Sequence, residues 1–79
     1  MVYIGNIINA LNNLNEGEAI ALLTKSNRRI IIERGDLLAR EHGDLKVVKD
    51  TCYAFVDCAE VETLIVANDY LIRGDFDGD

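Results

Sequence analysis

Ile4, Ile7, Ile8, Leu11 and Leu14 recur at three- and four-residue spacing, the mark of one apolar helix face. Asn6 is placed to cap the start of that helix, and Gly17 to stop it. The polar face, Asn6, Asn9, Asn12 and Asn13, carries no charge. Asparagine is a mediocre helix former, so packing rather than propensity has to hold this segment.

The pattern then changes period. Ala19 to Thr24 and Arg28 to Glu33 are two β-prone runs either side of Lys25-Ser26-Asn27. A two-residue Ser26-Asn27 turn would set Leu23 opposite Ile30 and Ala21 opposite Ile32, with Leu22 and Ile31 on the other face. Both faces are apolar at their centres, so the hairpin is expected to be covered on both sides. Arg34-Gly35-Asp36 ends the second run, and Asp36 is placed to cap a short helix, Leu37 to His42, closed by Gly43.

Leu45 to Lys49 and Thr51 to Cys58 read as strands about a tight turn near Asp50. Val61 to Ala67 and Tyr70 to Phe76 read as two more, around Asn68-Asp69, with a helix over Ala59 to Ala67 as the alternative for the first. The expected fold is α+β: an N-terminal helix packed on a small curved antiparallel sheet or partial barrel, ordered as hairpin, short helix and β-meander. Residues 1–79 are expected to form a single compact domain, because the chain is 49% apolar and has no proline and only six glycines.

Charge adds a second asymmetry. The net charge is −6. Residues 1–49 carry six acids and seven bases, whereas residues 50–79 carry eight acids against Arg73 alone. Such an imbalance bears on partners rather than on fold. Asp57, Glu60, Glu62, Asp69, Asp75, Asp77 and Asp79 are therefore the candidate partner-binding residues. Alternate residues of an extended strand project on one side roughly 6.6 Å apart, so the last three could present a row of anions.

Other chemistries find little in the chain. His42 is the only histidine, and its spacing from Cys52 and Cys58 does not imply a nucleophile–base pair. Cys52, Ala54, Val56 and Cys58 alternate as a face of small residues, and the two thiols lack zinc-ligand spacing. Six strand steps, about 20 Å, keep them from bridging each other. Asp75-Phe76-Asp77-Gly78-Asp79 resembles the opening of a calcium loop but lacks the bidentate glutamate that such a loop needs. The two Arg-Gly-Asp triplets are explained by turn chemistry. Lys25, Arg28 and Arg29 make a basic hairpin tip without an aromatic for base stacking. No catalytic, metal or cofactor site is expected, nor direct contact with nucleic acid. No run of about 20 apolar residues is present to span a membrane, and no secretory signal is recognisable. A cytoplasmic location follows as the expectation.

These observations favour a small acidic protein-binding module over an enzyme. By analogy of class, such chains include phage-type inhibitors of the anti-CRISPR and anti-restriction kind, which would occlude a basic nucleic-acid-binding surface of a target. The alternative is a self-associating structural protein, a homodimer for example, built on the uncharged face of the first helix, since neutral polar groups are cheaper to desolvate than charges.

Overall fold

The computed structural model of the protein describes residues 2–72. The N-terminal periodicity forms helix α1 (Ile4–Asn12). It begins earlier than an Asn6 cap would allow. Tyr3 occupies the cap position in extended geometry, without a side-chain cap, and its carbonyl accepts from the N–H groups of Asn6 (3.0 Å) and Ile7 (3.3 Å). Asn13 closes the helix by donating its side-chain amide to the Asn9 carbonyl at 2.8 Å. Gly17, at φ +86°, serves the turn into the first strand instead.

Six strands follow: β1 (Glu18–Thr24), β2 (Arg29–Glu33), β3 (Leu37–Glu41), β4 (Asp44–Val48), β5 (Tyr53–Val56) and β6 (Val61–Asn68). A single 3₁₀ turn (Cys58–Glu60) joins the last two. The strands form two open, antiparallel, three-stranded sheets, β2-β1-β6 and β3-β4-β5. The architecture is α+β with an N-terminal helix.

The β1–β2 hairpin turns through three residues, not two. Thr24 donates its N–H to the Arg28 carbonyl at 2.9 Å, Asn27 donates to the Thr24 carbonyl at 3.0 Å, and Asn27 takes φ +64°. That is a type I turn followed by a left-handed residue, the common three-residue hairpin. Register moves by one as a result: Leu22 pairs with Ile30, Ile20 with Ile32 and Ala21 with Ile31. The buried Thr24 hydroxyl holds the turn, accepting the Arg28 N–H at 3.0 Å and bonding Ser26 Oγ at 3.1 Å. A one-residue shift exchanges the faces of β2 relative to β1. Ile20, Leu22, Ile30 and Ile32 all enter the main core, while Ala19, Ala21 and Ile31 meet on the opposite side.

The segment expected as a short helix after Asp36 is strand β3. Asp36 is not free to cap, because its carboxylate accepts the Glu33 N–H at 2.9 Å and is paired with Lys49 Nζ. The chain then reverses through His42 (φ +53°) and Gly43 (φ +84°), a two-residue turn with both central residues left-handed, which matches the twist of the flanking strands. Residues 61–68 take the strand form rather than the helical alternative. Residues 69–72 are helical, where the second half of the Asn68-Asp69 turn and the start of the Tyr70 to Phe76 strand are expected. Asn68 Oδ1 starts that turn by accepting the Tyr70 N–H at 2.9 Å. The rest of the expected Tyr70 to Phe76 strand lies outside the described residues.

One buried cluster joins the helix and both sheets: Ile7 and Leu14, Ile20, Leu22, Ile30 and Ile32, Leu45, Val47 and Val56, with Val61. Each fully buried branched side chain here contributes about 1.5–3 kcal/mol by leaving water. A smaller cluster, in which Ile72 covers Ala19 and Ala21 with Ile31, Ile65 and Ala67 around it, seals the far side of the first sheet. The far side of the second sheet has no such cover among the described residues.

Candidate interaction face

The uncovered side of β3-β4-β5 follows directly from strand alternation. Leu45 and Val47 of β4 point into the core, as does Val56 of β5, so their neighbours point out. Register then orders the outward residues into three rungs across the sheet. Leu37, Val48 and Tyr53 form the first, and Ala39, Lys46 and Phe55 the second. Glu41 pairs with Asp44 on the third. Asp57 follows Val56 just past the end of the pairing, at the Asp44 end of the sheet.

Two rungs are apolar or aromatic and largely open to solvent. Leu37 is 67% exposed, Tyr53 61% and Phe55 42%. The rings of Tyr53 and Phe55 meet edge to face, with centroids 5.6 Å apart and an interplanar angle of 83°. Lys46 Nζ lies 4.6 Å from the Tyr53 centroid and 5.7 Å from that of Phe55, and its charge is answered by Glu41 Oε2 at 3.6 Å. The lysine thus lies across the rings as a charged cover that interacts with both. A single isolated apolar side chain on a surface needs no explanation, whereas a contiguous group of this kind is a candidate interaction site.

The third rung is acidic. Asp57 caps the 3₁₀ turn by accepting the Ala59 N–H at 3.0 Å. Both it and Asp44 act on Cys58. Burial pushes that thiol's pKa up, and the carboxylates of Asp57 and then Asp44 push it further, against the opposing pull of Arg40. A thiol held protonated in this way is a poor nucleophile. Among the described residues no group of three His, Cys, Asp or Glu side chains is placed to hold a metal ion, so the rung is a row of separate charges.

The acids singled out from the sequence are distributed over the molecule. Asp57, Glu60 and Glu62 come to the end where β6 begins, beside the basic hairpin tip, where the Glu60 carbonyl accepts the Lys25 N–H at 2.9 Å. Asp69 lies past the far end of β6, its N–H donated to the Gly17 carbonyl at 2.7 Å. A strand of eight residues separates the two ends, about 26 Å at 3.3 Å per residue. Asp75, Asp77 and Asp79 lie outside the described residues.

Two recesses flank the sheets. One, of about 330 Å³, is lined by Val2, Tyr3 and Ile4 with Arg40, Gly43 and Cys58 among its walls. The other, of about 370 Å³, lies where Lys49 ties the β2–β3 turn to the β4–β5 turn through Glu33 (3.3 Å) and Asp36. Its lysine and two acids are engaged with one another, which makes it a clasp between turns. No helix among the described residues is long and apolar enough to cross a membrane.

The chain matches no family model, and no curated protein or solved structure matches it. Its function has to be argued from these side chains alone.

Proposed function

We propose that the protein is a cytoplasmic, non-enzymatic protein-binding module that docks through the outer face of β3-β4-β5. The observation that carries this reading is the contiguous exposure of Leu37, Tyr53 and Phe55 around Lys46 on an open sheet. Interfaces are enriched in aromatic residues at their centres and use polar rims to exclude water. Burying an aromatic pair already ordered by mutual contact costs little side-chain entropy. The acids beside the rings disfavour phosphate, so the same face suits protein better than nucleic acid. The finer reading, an inhibitor of the counter-defence class that covers a basic surface of its target, draws support from Asp57, Glu60 and Glu62 at one end of the molecule.

Co-purification from lysate of the source cell tests the reading when wild type is compared with a Tyr53→Ser, Phe55→Ser double variant. A partner captured by wild type and lost by the folded double variant supports it. Equal capture by both would sink it, as would an absence of any partner.

Self-association is the second reading. Asn6, Asn9, Asn12 and Asn13 are exposed on α1 and uncharged, and Ile8 is exposed beside them. Light scattering with Ile8→Lys as the comparison decides it: a dimer dispersed by that change supports this contact, and a wild-type monomer removes it.

A further inference from the structure

Building on the docking face proposed above, we infer that its partner is a segment in which apolar side chains are followed by lysine or arginine, arranged to match the rungs of β3-β4-β5. The order of the rungs is the basis. Leu37, Val48 and Tyr53 come first, then Phe55 and Ala39 around Lys46, then Glu41, Asp44 and Asp57. Successive rungs are two residues apart along each strand, roughly 6.6 Å. A ligand lying along the strands meets two apolar rungs and then, about 7 Å further on, a row of carboxylates. An extended ligand satisfies this as apolar-x-apolar-x-basic. A helical ligand satisfies it with apolar residues one turn apart and a basic residue one turn beyond, because four residues of helix rise about 6 Å.

Charge complementarity selects the sign. The face holds three acids and one lysine, and Glu41 already answers that lysine at 3.6 Å. Asp44 and Asp57 supply the excess negative charge. An acidic residue brought to the third rung would meet like charge, and such juxtapositions are a main source of partner discrimination. Lys46 presents its stem and the adjoining rings to the ligand's middle apolar residue. The remaining candidates lack such an argument. The Lys49 clasp has its lysine already engaged by Glu33 and Asp36, and the recess beside Cys58 offers one charged lining residue, Arg40.

The test is a titration of isotope-labelled full-length protein, followed by amide shifts, with two end-capped synthetic peptides. One is Leu-Thr-Phe-Thr-Arg-Thr and the other has Glu in place of Arg. The arginine peptide is expected to shift the amides of β3, β4 and β5 and to bind about tenfold more tightly than the glutamate peptide, a preference that added salt erodes. Asp44→Lys, which together with Asp57 leaves no excess charge, should erase the preference, and Tyr53→Ser with Phe55→Ser should abolish both interactions. Equal binding of the two peptides by wild type, or a preference that survives intact in Asp44→Lys, overturns the charge rule while leaving the docking face standing. Shifts confined to other elements, or none, overturn the inferred segment, and the docking face is then judged by the co-purification comparison alone. Preferential binding of a single-stranded oligonucleotide at this face overturns both.

Discussion

The sheets β2-β1-β6 and β3-β4-β5 have three strands each and share one core, yet they meet water differently. The first has an apolar cluster packed on each side, with Val66 at its β6 edge left 43% exposed. Its inner face carries Ile20, Leu22, Ile30 and Ile32, and its outer face places Ala19 and Ala21 beneath Ile72. Among the described residues the second is covered on one side only, and the outer residues of its central strand are larger than the alanines at the corresponding place in the first. A sheet meant to be covered by its own chain uses small residues so that another element can approach. A sheet carrying tyrosine, phenylalanine and leucine into solvent keeps the face that the proposed partner would cover. On the proposed function, the difference would separate stability from recognition within one small molecule.

Substitutions can break or sharpen this contrast. Leu22→Ala, in the shared core, is expected to cost about 3 kcal/mol through lost burial and the cavity left behind. Urea denaturation measures it, and a loss below about 1 kcal/mol would mean that the first sheet is not the stable half. Ala21→Leu should cost about 2 kcal/mol, because the added carbons have to displace Ile72 and its neighbours. If that variant is neutral, the second cover is loose and the two sheets are more alike than described.

Tyr53→Ser should change stability by no more than about 1 kcal/mol, the scale of an exposed strand substitution with loss of one aromatic contact. A larger loss would move Tyr53 from recognition to folding. The smallest effect is chemical. Cys52 is exposed whereas the Cys58 thiol is raised by burial and by Asp57 and Asp44. Alkylation of the native protein should therefore reach Cys52 first, with Cys58 catching up only as the pH rises or the protein unfolds. Equal rates at neutral pH would show that the third rung does not act on that thiol.

Much of this fold is legible in the chain where apolar periodicity is strong. Helix α1 and strands β1, β2, β4, β5 and β6 all fall on the runs that suggest them. Local signals with two meanings mislead. Asp36 has the residue type and position of a helix cap, but Glu33 and Lys49 claim its carboxylate, and no sequence pattern announces a lysine thirteen residues away. Ser26-Asn27 looks like a complete turn until the Thr24 hydroxyl adds a third residue to it. The interaction face is hidden by the first of these errors. Reading Leu37 as helical separates it from Val48 and Tyr53, so the rungs cannot be assembled. A signal was present in Tyr53, Phe55 and Asp57, which alternate with the small residues facing the core. Of the acids read as a single partner-binding group, the structure keeps Asp57 on the face and places Asp69 at the other end of β6.

The pairing of β1 has a temporal consequence. The second sheet is made of neighbours in the chain, joined by short reversals from Leu37 to Val56. The first is not: Ala19 waits for Ala67, with all of β3, β4 and β5 between them. On a ribosome, the middle of the chain can order while β1 still lacks its second neighbour. Contacts that close so long a loop come late and slowly. A nascent chain arrested before β6 emerges would leave one edge of β1, the most buried strand of the molecule, open to pairing with another chain.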